Sequence, residues 1–506
     1  MEYMCRGYRT FLGILFMLGA SFVISMNASA DSLQGYEISN GENGGSYLLV
    51  DGEVIISGGE VRVSGKSKVP LRVIGDSKII LSNAAIFSSK GAAISIDSGV
   101  KAELILEGVN EVKGEGSGAG IKVGFNSSDS MAILTIDGDG SLTATGGANG
   151  GAGIGGNGTK NVNAINGRII IRGGKIEAIA QKNSSGIGGG WGSELVVGNK
   201  YLAGSINIDG GTISATGNGG GAGIGGGNYV DADIEVNGGT LRAVYGGEYA
   251  AGVGGGSCSK KVNVNINGGT FDDIKGYGSS EDEAMGGAAI GSGAKVCDSE
   301  TKVELSISGG VIENAVAGWG AAGIGNGAGD GISNDIKIGK DAEITRLYTD
   351  GERLPIEDGV SMEGNLLQAV FSESVDTSSE SSFEVVNFED DNEAYKIEMP
   401  KGYRAFATTV KKEADYSVRG SKYFANYKSP GEVEEKVKLN VASGMVTAYS
   451  GLRPIGNELS RKIVNSEKDD DSNVVMWICV GAGMFIAMTA MCVMWAIRSI
   501  RKRISR

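Results

Sequence analysis

One glycine-rich phrase with an aliphatic residue at its centre recurs along this chain and sets most of what the chain can fold into. It reads GAGIGG around Ile154, SGIGGG around Ile187, GAGIGGG around Ile224, AAGVGGG around Val253, GAAIGSG around Ile290 and AAGIGNG around Ile324. Weaker relatives surround Ile94 and Ile121, and the spacings from Ile94 to Ile324 are 27, 33, 33, 37, 29, 37 and 34 residues. Seven repeats of about 33 residues mean stacked copies of one supersecondary unit. The units are not helical, because glycine at this frequency costs about 1 kcal/mol per residue inside a helix.

A second phrase lies in each repeat: INIDGGTISATG (206–217), IEVNGGTLRAVYG (234–246) and LSISGGVIENAVAG (305–318). Period-two alternation broken by glycine reads as short strands joined by tight turns. With the glycine phrase as a third strand, each repeat offers three strands and three corners. The expected fold is all-β, a right-handed parallel β-helix over residues 31–347. Ile206 and Ile208, Ile234 and Val236, Val264 and Ile266, and Leu305 and Ile307 should face its lumen, one coil being about 4.8 Å from the next. A β-propeller is the main rival, but its blades usually carry four strands and more tryptophan.

The two ends of the chain read differently. Arg6 and Arg9 precede an apolar run from Phe11 to Met26, and Ala28-Ser29-Ala30 supplies a cleavage site, so residues 1–30 read as a signal peptide. Residues 348–455, poorer in glycine, read as a small β-rich module, and 456–473 as a polar stalk. Residues 474–497 lack any charge and are long enough as a helix to span a bilayer. The basic tail 498–506 that follows places the C-terminus in the cytoplasm. The expectation is a single-pass protein of the cell membrane with its bulk outside. Of the total charge of −14, the leader accounts for +1 and the tail for +5, leaving −20 on residues 31–473. Such a surface repels phosphate backbones and argues against nucleic acid.

Chemistry is scarce. The chain has no histidine, which removes Ser-His-Asp and Cys-His catalysis and most zinc sites. The segment from the double glycine to the next central aliphatic residue is nearly constant, 15 or 16 residues in four repeats, whereas 13 to 22 residues follow the central residue. Insertions therefore gather after the glycine phrase, on one edge, which is where a rigid solenoid binds. Trp191 and Tyr229 follow the phrase and Tyr249 and Trp319 precede it; these four rings are the candidate binding residues, set against ordinary packing in loops. Glu281, Asp282 and Glu283 form an acidic loop that would suit calcium, the one candidate cofactor, or is simply solvated. Asp137, Arg172, Asp209, Asn237, Asn267 and Ser308 share one corner position before the double glycine, which reads as a ladder bonding backbone amides in preference to a ligand column. Cys258 and Cys297 fall at nearly the same place in consecutive repeats and are either a disulfide or two free thiols.

Phrases such as INIDGGTISATGNGGGAGIGGG (206–227) resemble the pectate-lyase-like β-helix surface proteins of Gram-positive anaerobes, including those described as carbohydrate-binding β-helices. The resemblance covers about residues 45–347 and implies adhesion at the cell surface or contact with a polysaccharide or matrix partner. It carries over no catalytic residue. Binding is therefore expected ahead of catalysis, the alternatives being a tethered polysaccharide lyase or glycoside hydrolase, or a structural spacer.

Overall fold

Alternating aliphatic residues flanked by glycine turns build the solenoid seen in the computed structural model, which describes residues 31–33, 35–192, 204–278, 285–297, 300–357, 360–370, 382–387, 390, 392–419, 439–441 and 444–449. The leader, the stalk, the apolar run 474–497 and the tail lie outside the described residues. No helix among the described residues is long and apolar enough to cross a membrane. Apart from the single 3-10 turn Val162–Ala164, the regular structure described is β, and most of it belongs to one large, mostly parallel sheet.

Three columns of parallel strands make up that sheet. In the first, Ile94, Ile121, Ile154, Ile187, Ile224, Val253, Ile290, Ile324 and Ile356 lie in register, one per coil. The second aligns Ile136, Ile171, Ile208, Val236, Ile266, Ile307 and Ile338. The third aligns Ile176, Ile213, Leu241, Phe271, Ile312 and Ile344. All are buried in one continuous core. Parallel pairing runs past residue 347, to the bridge at Ile356 and the strand Ser361–Met362.

The glycine phrase is not the bare outer face that its composition suggests. Residues 151–156, 220–227 and 250–258 are buried throughout. Loops on the two sides of the phrase fold over it: the Trp191 N–H donates to Gly150 O (2.9 Å), Ser257 N–H to Gly220 O (2.7 Å) and Ala294 N–H to Tyr249 O (2.8 Å). In this seam the residue after the central aliphatic one has φ of +141° at Gly155, +130° at Gly225, +135° at Gly254 and +143° at Gly291, and a Cβ on Gly155, Gly225 or Gly254 would overlap the carbonyl oxygen of its counterpart one coil on. Only glycine meets both demands.

The polar corner column begins as expected, Asp137 Oδ1 accepting the backbone Gly138 N–H at 2.8 Å, and further along becomes a ladder of side chain to side chain. Asn237 Nδ2 donates to Asp209 Oδ1, Asn267 Nδ2 to Asn237 Oδ1 and Ser308 Oγ to Asn267 Oδ1, each at 2.9 Å. Stacking identical corners at one coil spacing brings the amides within reach of each other.

Both ends of the stack are closed by antiparallel strands. Tyr36–Val50 pairs antiparallel with Glu53–Ser67, and Glu53–Ser67 in turn pairs parallel with Leu71–Val73 and Ser77–Phe87, so it is the first coil of the stack and the arm of a hairpin at once. Asp51 and Gly52 at the hairpin tip have φ of +49° and +75°, as a two-residue type I′ turn requires. At the other end Ala405–Thr409 runs antiparallel to Leu347–Thr349 and to Asn365–Val370. A separate four-stranded sheet, Ala394–Glu398, Ser382–Asn387, Ala414–Arg419 and Leu439–Val441, adds a second core around Tyr348, Phe406 and Tyr416.

Candidate functional site

The outward residue of the first column changes character along the stack. Leu71–Val73, Ile94–Ile96 and Ile121–Val123 bury both flanking aliphatic side chains and turn the middle residue out. Those middle residues are Arg72, Ser95 and Lys122, aligned one coil apart, and the next position is Gly155. Where later coils close into the glycine seam, these three stay open and line a cleft of about 240 Å³ with Glu53, Lys90, Asp97 and Asn157.

Its electrostatics are local and uneven. Arg72 Nε and Nη2 grip Asp97 at 2.8 to 3.2 Å, and Lys90 lies 3.4 Å from Glu53. Lys122 is half-buried and makes no ion pair among those found in the described residues. Burial lowers its pKa first, with Asp97 opposing and Arg72 adding to the shift. Asn157 fixes one wall by accepting Ala119 N–H through Oδ1 at 2.9 Å.

Around the corner, the second column offers a similar opening of about 400 Å³, lined by Lys101, Asp129, Ile133, Arg168 and Ser205. Lys101, Ile133 and Arg168 are consecutive along it, one per coil. The residue-level reading of the sequence did not single out these positions. The available signal was the triplet with one polar centre, LRV, ISI and IKV, immediately before the glycine phrase begins.

The residues singled out from sequence lie elsewhere on the coils. Trp191 is half-buried under Lys182, whose Nζ lies 4.7 Å from the ring centroid. Tyr229 takes a left-handed φ of +62°, as Cys258 does at +61° in the equivalent place one coil on. Gly192 N–H donates to Asn228 O at 3.0 Å, which puts Trp191 and Tyr229 on adjacent coils. Tyr249 is half-buried on the other side of the seam. Trp319 packs on Tyr403 of the C-terminal end, ring centroids 5.5 Å apart. The edge where insertions gather has its own small core of Phe125, Ala164, Ile165 and Val230, so length there reflects packing as well as display. Cys258 and Cys297 form a disulfide, Cα atoms 5.9 Å apart.

Glu281, Asp282 and Glu283 lie outside the described residues. Among the described residues no group of three or more His, Cys, Asp or Glu is placed to hold a metal ion. Two carboxyls with raised pKa sit near the C-terminal end, chiefly through burial, and both are occupied. Asp350 accepts Gly320 N–H (2.6 Å) and Glu352 N–H (2.9 Å), while Glu357 holds Arg353 at 2.8 Å and also binds Asn334. Their partners fasten the last coil to the one before it. No family model, curated protein or solved structure matches the chain.

Proposed function

We propose that the protein is a cell-surface polysaccharide-binding protein, exported by residues 1–30, tethered by residues 474–497, and reading its ligand along the N-terminal coils of a right-handed β-helix of the pectate-lyase-like kind. The observation that carries this reading is the aligned column Arg72, Ser95 and Lys122 in an open cleft. Outward side chains repeat there at about 4.8 Å, close to the advance of one sugar in an extended chain, so a linear polymer meets one residue per coil. Lys122 supplies an ammonium, Ser95 a hydroxyl and Arg72, already holding Asp97, its remaining N–H groups, a set suited to a sugar carrying carboxylate or sulfate. A half-buried ammonium that makes no direct ion pair is costly, and an anionic ligand offsets that cost. Handedness follows the strong rule for parallel crossovers. The Cys258–Cys297 bond fits an oxidising compartment.

Binding is favoured over hydrolysis because a glycosidase needs two available carboxyl groups about 5 to 9.5 Å apart, and in this cleft Glu53 and Asp97 are both committed to cations. The test is a glycan array with the purified protein, followed by titration of the best ligand with turnover monitored. Retention of an anionic polysaccharide is expected, and Lys122→Ala should weaken it about 10- to 100-fold, the value of one charge-assisted hydrogen bond. Affinity should persist above the pKa of the ligand's acid and fade as pH rises through the lowered pKa of Lys122. No retained polysaccharide would sink the proposal, and turnover would revive the lyase reading.

A further inference from the structure

We infer that the ligand is a polysaccharide in which anionic residues alternate with neutral ones; this rests on the polysaccharide-binding reading and narrows it. The first column presents Arg72, Ser95 and Lys122 on three successive coils, and the second presents Lys101, Ile133 and Arg168 on three successive coils. Each is cation, uncharged residue, cation. The cations are two coils apart, about 9.6 Å at one coil spacing of about 4.8 Å, which matches two sugars of an extended chain rather than one.

The middle coil does more than lack a cation. In the second cleft it adds Asp129 near Ile133; in the first it adds Asp97 beside Ser95, where Asp97 and Arg72 are paired. In the second column a carboxylate on the middle sugar would therefore face Asp129, a like-charge contact that selects against it; in the first, the pairing with Asp97 leaves Ser95 as the uncharged contact. Ile133 instead offers an apolar surface to the ring face of a neutral sugar. The windows are also bounded. Before Lys101 comes Asp76, whose Oδ1 accepts Lys101 N–H at 2.8 Å, and after Ser205 comes Asp233; the first column stops at Gly155.

The cations of the two columns fall on alternate coils, so one strand along the ridge between them would meet a cation at every sugar. That path is obstructed. The hairpin Phe125–Ser127 with Ser130–Met131 and the loop bearing Val162–Ala164 leave the ridge between the columns in the third and fourth coils. Each column meets its ligand separately, with a two-coil period.

The experiment titrates the purified full chain with three polymers: hyaluronan, in which glucuronate alternates with a neutral amino sugar; polygalacturonate, anionic at every residue; and a neutral β-glucan. Hyaluronan should bind at least tenfold more tightly than either of the others. Ile133→Lys and Ser95→Lys, each placing a cation on a middle coil, should shift preference toward polygalacturonate, with unchanged melting as the check on folding. Polygalacturonate binding the unmodified protein as well as hyaluronan does would overturn the alternation and leave polysaccharide binding standing. Binding of none of the three, together with an empty glycan array, would remove the underlying reading itself.

Discussion

Gly254→Ala should destabilise the solenoid by about 3–5 kcal/mol, read as a lowered urea midpoint. Two costs combine. Gly254 has φ of +135°, a region that costs an L-residue on the order of 1–3 kcal/mol. The added methyl would also overlap the carbonyl oxygen of Gly291, and relieving an overlap by moving packed backbone costs roughly 1–3 kcal/mol more. The backbone has no slack, because Gly255 N–H already donates to that same Gly291 oxygen at 2.8 Å. Gly91→Ala separates the two costs: its φ is +66°, but a Cβ there meets nothing within 4 Å, so only the conformational cost, about 1–2 kcal/mol, should appear. Equal losses at the two positions would show that the seam is not sterically closed.

The same geometry explains how much could be read from the chain. Period, strand number and lumen residues were legible because each is written as local alternation: Ile206 and Ile208, or Leu305 and Ile307, announce an inward face within three residues and are buried as expected. Burial of the glycine phrase was not legible, since glycine carries no side chain to report which way it faces. The bonds that bury it join loops from adjacent coils, as Ala294 to Tyr249 does. The N-terminal hairpin is written in Asp51-Gly52, while the rhythm after it belongs to a coil, since Glu53–Ser67 also pairs parallel with the strands that follow. The cleft was least legible. Arg72, Ser95 and Lys122 are 23 to 27 residues apart in sequence, and only the register of the first column makes them neighbours. For the candidate rings the positions on the coils were readable, whereas the partners of two of them, Lys182 for Trp191 and Tyr403 for Trp319, come from other segments.

Ile224→Ala should cost about 3–4 kcal/mol, within the range for removing a buried aliphatic side chain when the site cannot collapse. Collapse is prevented by the stack itself. Ile224 lies between Ile187 and Val253 in register, and its N–H donates to Gly252 O at 3.0 Å, so neither neighbouring coil can sink toward the void without breaking the parallel ladder. Leu48→Ala, at a side chain 58% exposed, should stay within about 0.5 kcal/mol of the parent. Because each coil touches only its neighbours, the damage should also be local. Hydrogen exchange should quicken first in the coils holding Ile187, Ile224 and Val253, while the N-terminal coils keep their protection and, with it, the binding proposed for Lys122. Uniform loss of protection from end to end would mean that the coils unfold as one unit, and would remove the separation between a rigid scaffold and a binding end on which the reading of the cleft depends.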